Sequence, residues 1–377
     1  MTSTEVMLII NNTLAIGGVE RKIADISRYL SENTQPKDLR VYLILDEKRP
    51  EDPEEGGFYD IVDDSNIRIL YKPQMKVGSF EFFSPLYLLW KTGTLRPNVV
   101  LSFLRRASVI SVFLKCVFWW RKIRVVISED NVASCALATD IRNRFKRWVF
   151  FNLIRIFYPK ASVITAVSDV VKCDLVERFS VPQERIVVNK NWVLTCAHGQ
   201  NGREDFDLIY VGRVHQVKNL SLFVEIIHEV RKVIPGVCGC IVGGGTDVDN
   251  ISRLTEQYTI DSAISFVGFQ KDVGKYLSAS KVFCLTSDAE GLPIAALEAM
   301  AHGLPVVTTA YLGAEDLVQE GSTGYICANK RDYAARVIWL LTHEKERLKM
   351  GEQARAYVRK HHGGENLKRF MRLLLGT

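Results

Sequence analysis

The chain has 377 residues, of which 47% are hydrophobic, and its 49 Lys and Arg against 43 Asp and Glu give a formal net charge of +6. That length and apolar content suit two domains, each with its own core, and exclude wholesale disorder. No apolar run approaches the roughly 20 residues a spanning helix needs, and no basic stretch with a signal-like core opens the sequence, so neither a membrane-integral nor a signal-led protein is expected.

Val6–Ile10 reads as a first strand, followed by a turn over Asn11–Gly18. Val19, Ile23, Ile26 and Leu30 then recur at helical spacing and predict an amphipathic helix. A second strand is expected over Arg40–Leu45, and the acidic, Pro- and Gly-bearing stretch Asp46–Gly57 reads as an exposed loop. Further strands are expected at Ile67–Tyr71, Asn98–Phe103, Val125–Ser128 and Ser162–Val167, with helical patterns between most of them. The polar stretch Asn189–Glu204 marks a break. Beyond it strands read at Asp207–Val211, Val237–Val242, Ile264–Phe266, Val282–Thr286 and Pro305–Thr308. Helices read at Leu220–Val233, Asn250–Gln257, Gly274–Ala279 and Pro293–Ala301. Strand and helix alternate in both halves. The expected fold class is therefore α/β, as two doubly wound parallel sheets facing a central cleft, with ligands at the carboxyl ends of strands.

Charge is unevenly spread. Residues 65–160 carry 17 Lys or Arg against Glu81, Glu129, Asp130 and Asp140, a local net charge of +13 that leaves −7 for the rest. An anionic partner for the first half is expected. The eight cysteines are scattered with no paired Cys-x-x-Cys modules, so buried reduced thiols are expected and a zinc site is not.

The segment Ser287–Val307 is the most informative. Glu290 sits in a turn, and Glu298 lies inside an otherwise apolar helix among Ile294, Ala295, Ala296, Leu297, Ala299, Met300 and Ala301. Pro293 suits the first helical turn, and Gly303 suits the stop. An ionised Glu in such company is costly to bury unless something binds it, and a helix N-terminus favours an anion. A phosphorylated polyol, such as a nucleotide sugar, satisfies both. A solvated Glu on an exposed helix edge is the alternative.

Other residues gather at strand ends. Gly212, Arg213 and Lys218 follow the strand at 207–211, where two cations suit a diphosphate. Gly243-Gly244-Gly245 ends the next strand and permits close backbone approach or a tight turn. Gly268 and Phe269 end another, with backbone that can face a flat base. Gly17-Gly18 precedes the first helix, whose free N–H groups point to the expected cleft. It lacks the spacing of a dinucleotide fingerprint. Glu129, Asp130 and Asn131 end the strand at 125–128. Ser168 reads first as a helix cap and second as a substrate contact.

Together these residues resemble the family 4 glycosyltransferases of the GT-B fold, most strongly from Gly212 to Gly324 and again at Gly17-Gly18-Val19-Glu20-Arg21. Glu290 and Glu298 match that family's paired-glutamate signature, Glu-x7-Glu. The resemblance implies that Glu298 binds the donor's ribose hydroxyls. Glu290 would hold the transferred sugar, assisted by the backbone of Gly291, Leu292 and Pro293. Arg213 and Lys218 would take the diphosphate of a UDP- or GDP-sugar, with Gly17, Gly18, Gly212, Gly243, Gly268 and Phe269 completing the donor site. It also implies transfer with retention, same-face attack, and no cofactor or metal. Fixed cations and a helix terminus suit the charge that develops on the leaving diphosphate. The chain departs from the family at Ser128-Glu129-Asp130-Asn131, where many relatives read Ser-Glu-His-Asn. Asp130 would then orient the sugar or accept the acceptor's proton, or else pair structurally with a nearby arginine. Glu129, Asp130, Asn131 and Ser168 are the acceptor-side candidates.

The resemblance divides the chain into an acceptor domain over 1–190, with a C-terminal helix of about 358–377 packing back on it, and a donor domain over 195–357. In the acceptor half, Phe82, Phe83, Leu86, Leu88, Leu89, Trp90, Phe113, Phe118, Trp119 and Trp120 interleave with bases. Phe145, Trp148, Phe150, Phe151 and Phe157 do so around Arg142, Arg144, Lys146, Arg147 and Arg155. Basic, aromatic helices suit an anionic membrane surface; core helices with solvated basic faces are the competing reading. The expectation is a cytoplasmic, peripherally membrane-bound hexosyltransferase acting on a lipid-linked or membrane-proximal acceptor in polysaccharide or glycoconjugate synthesis. A nucleotide-sugar epimerase, a phosphorylase and a non-enzymatic nucleotide-sugar-binding regulator remain alternatives. Nucleic acid is not expected, since no binding module accompanies the charge.

Overall fold

The computed structural model describes residues 5–11, 14, 17–33, 39–45, 58–63, 65, 67–71, 83–194 and 205–376. The acidic loop Asp46–Gly57, residues 195–204 of the polar break, Phe82 and Cys196 lie outside the described residues, as do the side chains of Phe83 and Leu86. The chain divides into two compact units, one of Met1–Asn189 with Lys368–Thr377, the other of Lys190–Leu367.

In the first unit the strands are β1 (Glu5–Asn11), β2 (Leu39–Leu45), β3 (Ile67–Tyr71), β4 (Val99–Phe103), β5 (Arg124–Glu129), β6 (Val163–Ala166) and β7 (Ile186–Val188). They form one parallel sheet in the order β3-β2-β1-β4-β5-β6-β7. Between them run α1 (Gly18–Asn33), α2 (Tyr59–Asp63), α3 (Phe83–Leu95), α4 (Arg105–Val117), α5 (Ala133–Asp140), α6 (Arg144–Phe157) and α7 (Asp169–Phe179). β4 is buried along its whole length, as a parallel strand covered on both faces must be.

The second unit repeats the arrangement with β8 (Phe206–Val211), β9 (Gly239–Val242), β10 (Ile264–Phe266), β11 (Ser280–Leu285), β12 (Val306–Thr309) and β13 (Gly324–Cys327), in the order β10-β9-β8-β11-β12-β13. Its helices are α8 (Leu220–Arg231), α9 (Val248–Gln257), α10 (Gly274–Ser278), α11 (Ile294–Ala301), α12 (Ala314–Leu317), α13 (Lys330–Thr342) and α14 (Glu344–His361), while α15 (Gly364–Leu375) belongs to the first unit from Lys368 onward. Phe223, Ile227, Ile241, Val282, Tyr333 and Val337 belong to its core. In both sheets the strand order reverses beside the first strand, between β1 and β4 and between β8 and β11. That reversal opens the crevice where ligands bind in open α/β sheets.

Three details differ from the sequence reading. β7 and β13 are three and four residues long, too short to show a period, and escaped it. The C-terminal helix expected over about 358–377 is two helices, because α14 stops at His361 and His362 and Gly363 intervene before α15 starts at Gly364. Pro293 is the residue before α11 rather than within it, with an extended ψ of 118°. In the first unit, α15 lies beside β5, where Arg124 Nη2 donates to the Leu373 carbonyl at 2.8 Å.

Candidate active site

At the switch point of the second sheet, the loops after β8 and β11 are stitched together. The Asp288 amide donates to the Val217 carbonyl (3.0 Å), Thr286 Oγ1 to the Lys218 carbonyl (3.0 Å), and Asn219 Nδ2 to Asp288 Oδ1 (2.9 Å). The stitching fixes Lys218, whose Nζ donates to Glu290 Oε1 at 2.6 Å. Ser287 Oγ donates to the same oxygen at 2.6 Å. Glu290 is buried, yet among the described residues both side-chain donors fall on Oε1 and none on Oε2. Arg213, on the same loop as Lys218, is exposed and has no ion pair among the described residues. Its backbone is fixed from below, since buried Tyr210 donates from its hydroxyl to the Arg213 carbonyl at 3.0 Å. Burial first, and the Glu290 carboxylate second, raise the Tyr210 phenol well above its ordinary range, while Arg213 opposes them.

Gly291 and Leu292 are buried beside Glu290. The Leu292 carbonyl accepts from Asn191 Nδ2 at 2.7 Å, and Asn191 is buried itself. Pro293 has no amide hydrogen, so of the three residues expected to offer backbone donors only Gly291 and Leu292 have them. Glu298 is buried on α11, eight positions after Glu290. The helix ends at His302, whose ring Nδ1 lies 2.8 Å from the Glu298 carbonyl, and burial lowers the pKa of His302.

The triple glycine has a structural use. Gly243 has φ +135°, and any Cβ there would collide with the Gly212 carbonyl, so the loops after β8 and β9 meet backbone to backbone. The Gly243 amide donates to the Gly268 carbonyl at 2.7 Å, which ties in the loop after β10. Gly268 is exposed with open space around it, and Phe269 beside it is half-buried.

In the first unit, Gly17 and Gly18 open α1, but the Glu20 carboxylate folds back against Gly17. One turn on, Lys22 is buried, and its Nζ contacts Asp130 Oδ1 at 2.5 Å and Ser128 Oγ at 3.0 Å. Ser128 Oγ in turn donates to Asp130 Oδ2 at 3.2 Å. The partner of Asp130 is thus this lysine and not one of the nearby arginines. Glu129 points into the core, accepting from Tyr158 at 2.9 Å, and burial pushes its carboxyl up to about 7. Asn131 is half-buried in the turn before α5. Ser168 caps α7, its Oγ accepting from the Val171 amide at 3.3 Å.

Two family models match the chain, Glycosyltransferase Family 4 over residues 16–195 and Glycosyl transferases group 1 over residues 198–357. Among solved structures, Anabaena HepE in complex with UDP and glucose superposes with a TM-score of 0.80, covering 99% of this chain and 100% of that one at 16% identity. The chain belongs to the family 4 glycosyltransferases of the GT-B fold. Its sequence is 29% identical over 222 residues to the N-acetyl-alpha-D-glucosaminyl L-malate synthase of Bacillus anthracis. That stretch covers 55% of this chain and 57% of the relative, less than two thirds of its length. A Campylobacter jejuni enzyme, N-acetylgalactosamine-N,N'-diacetylbacillosaminyl-diphospho-undecaprenol 4-alpha-N-acetylgalactosaminyltransferase, is 26% identical over 83% of both chains.

The first unit of this glycosyltransferase also exposes large aromatic residues and bases at several places. Trp119 and Trp120 are 76% and 58% exposed on the turn after α4, and Phe145 and Trp148 are 70% and 62% exposed on α6. α4 packs beside α6, with Phe113 and Phe157 edge to face at 6.2 Å. Arg142, Arg144, Lys146 and Arg155 are exposed on or next to α6, of which only Ile154 is buried. Leu88 and Phe151 turn inward instead, Phe151 against Phe179 at 4.8 Å.

Sequence reading missed Ser287, Asn191 and Lys22. Ser287, three residues before Glu290, had a local cue in its spacing. Asn191 and Lys22 had none, since their partners lie 101 and 108 residues away.

Proposed function

We propose that this glycosyltransferase moves a sugar, with retention of configuration and without a metal, from a UDP- or GDP-sugar to a lipid-linked or membrane-proximal acceptor in glycoconjugate synthesis. The observation that carries it is Glu290, held by Lys218 and Ser287 at the switch point of the second sheet, with Glu298 buried on the helix that follows. Glu290 takes the sugar through its unengaged oxygen, and Glu298 takes the ribose. Arg213 and Lys218 neutralise the leaving diphosphate in place of a divalent ion. Lys218 shifts part of its charge from Glu290 to the phosphate when donor binds. Uridine is the first base to test, because HepE is described with UDP and glucose. A lipid-linked acceptor accords with the C. jejuni relative's named substrate and with the exposed aromatic and basic residues of the first unit, which suit the cytoplasmic side of an anionic membrane.

A screen of UDP- and GDP-sugars for protection against thermal unfolding tests the donor. A ligand at a hundred times its Kd adds about 2.7 kcal/mol to stability, a rise of several degrees. The rise should vanish in Glu298→Ala. If no nucleotide sugar moves the wild-type melting curve, the donor assignment fails.

A further inference from the structure

Tyr311 lies in the loop that leaves β12, the strand paired with β11, and β11 leads into the Glu290 turn. The two loops are tied, because Thr309 Oγ1 donates to the Ser287 carbonyl at 2.6 Å and Ser287 Oγ donates to Glu290. The loop is set by its own backbone bonds, the Tyr311 amide to the Thr309 carbonyl (2.9 Å) and the Ala314 amide to the Tyr311 carbonyl (3.1 Å). Tyr311 is only 5% exposed, and its hydroxyl has no hydrogen-bond partner among the described residues. Burial pushes this phenol well above its ordinary range. Among the carboxylates that add to the shift, Glu290 acts more strongly than Asp316 and Glu315, although those two lie within five residues of Tyr311. Tyr311 follows Thr309 by two residues, so the bond from Thr309 to Ser287 sets the tyrosine's loop against the Glu290 turn.

A buried hydroxyl left unpaired is destabilising, because it has lost water without gaining a partner. Native chains tolerate such groups where function supplies the partner. The other phenol near Glu290, Tyr210, is already spent on the Arg213 carbonyl. Among the described residues, Tyr311 Oη has no hydrogen-bond partner and Glu290 Oε2 receives no donor. A sugar hydroxyl both donates and accepts. We propose that Tyr311 is a specificity-determining residue for the transferred sugar, its hydroxyl donating to the same sugar hydroxyl that donates to Glu290. This rests on the donor reading above. It adds a discrimination step, since an epimer or deoxy sugar at that carbon leaves both groups unpaired.

Tyr311→Phe removes the hydroxyl alone and tests the assignment in the full chain. Three measurements are made on wild type and variant: the melting temperature without ligand, the Kd of UDP and GDP, and the Kd of their sugars. The expected result is an unliganded melting temperature equal to or above that of wild type, an unchanged nucleotide Kd, and a preferred nucleotide sugar bound about tenfold more weakly. The variant should also lose the preference between that sugar and its epimers. A drop of several degrees without ligand would show that the phenol already has a structural partner, and would overturn the proposal. So would an unchanged nucleotide-sugar Kd, or equal weakening of nucleotide and nucleotide sugar. If wild type binds neither UDP nor GDP nor their sugars, the donor reading itself fails and this assignment falls with it.

Discussion

Glu129 and Asp130 are chain neighbours with opposite fates, and the difference lies in what faces each. Asp130 meets Lys22 at 2.5 Å, an ion pair whose lysine is buried. Removing one partner of such a pair leaves a charge unsolvated and lowers stability by about 3–5 kcal/mol. Lys22→Met should therefore unfold at markedly lower denaturant, and Lys22→Met with Asp130→Asn should recover much of the loss. Equal midpoints for single and double variants would rule out the pairing. Glu129 faces Tyr158 inside the core, and burial holds its pKa at about 7 against an ordinary 4.5. Between those values the unfolded chain has released a proton that the folded chain retains, so ionisation at Glu129 erodes stability as pH rises toward 7. Glu129→Gln lifts that penalty. Its stability relative to wild type should be greater at pH 8 than at pH 5 by about 2–4 kcal/mol, and denaturant melts at the two pH values would show it. Sequence flagged both acids as acceptor-side candidates but offered no means of telling a core carboxyl from a paired one.

At the scale of elements, the Glu290 turn is supported from places that sequence spacing does not connect. Asn191 holds the Leu292 carbonyl, and the segment around Asn191 is held in turn by α14's end, where the Val193 amide donates to the His362 carbonyl at 2.8 Å. Asn191→Ala leaves a buried carbonyl unpaired, worth about 1–3 kcal/mol. Faster hydrogen exchange at Gly291 and Leu292 should accompany a lower melting temperature; wild-type exchange there would show the bond to be dispensable. Gly243→Ala forces Cβ into the Gly212 carbonyl at a positive φ, a backbone collision with no flexible atom to yield. It should destabilise the second unit by at least about 2 kcal/mol and displace the loop bearing Arg213. The strand-turn-helix order around Glu290 was legible because turn residues and apolar periodicity are local. The use of the triple glycine was not, since its neighbour lies 31 residues back in the chain.

On the scale of the whole molecule, charge and aromatic exposure converge on the first unit. Residues 65–160 carry a net +13, and Trp119, Trp120, Phe145 and Trp148 project from the same unit. Vesicles rich in anionic lipid should bind the protein at low salt and release it at high salt. Trp119→Ala with Trp120→Ala should weaken binding without changing thermal protection by the donor. No binding at low salt would remove the membrane from the reading. No described helix is long and apolar enough to cross a membrane. The sequence alone determined the alternation of strand and helix, the two-domain plan and the family, and it nominated Glu290, Glu298, Arg213 and Lys218 as site candidates, because periodicity and motif spacing are properties of neighbouring residues. Only the tertiary structure decided that Lys218 and Ser287 share one oxygen of Glu290, that Lys22 claims Asp130, that the Glu20 carboxylate folds back against Gly17, and that the Tyr311 hydroxyl has no partner among the described residues. Those outcomes depend on which strand lies beside which, and in a parallel sheet every strand neighbour is brought in by a crossover from far along the chain.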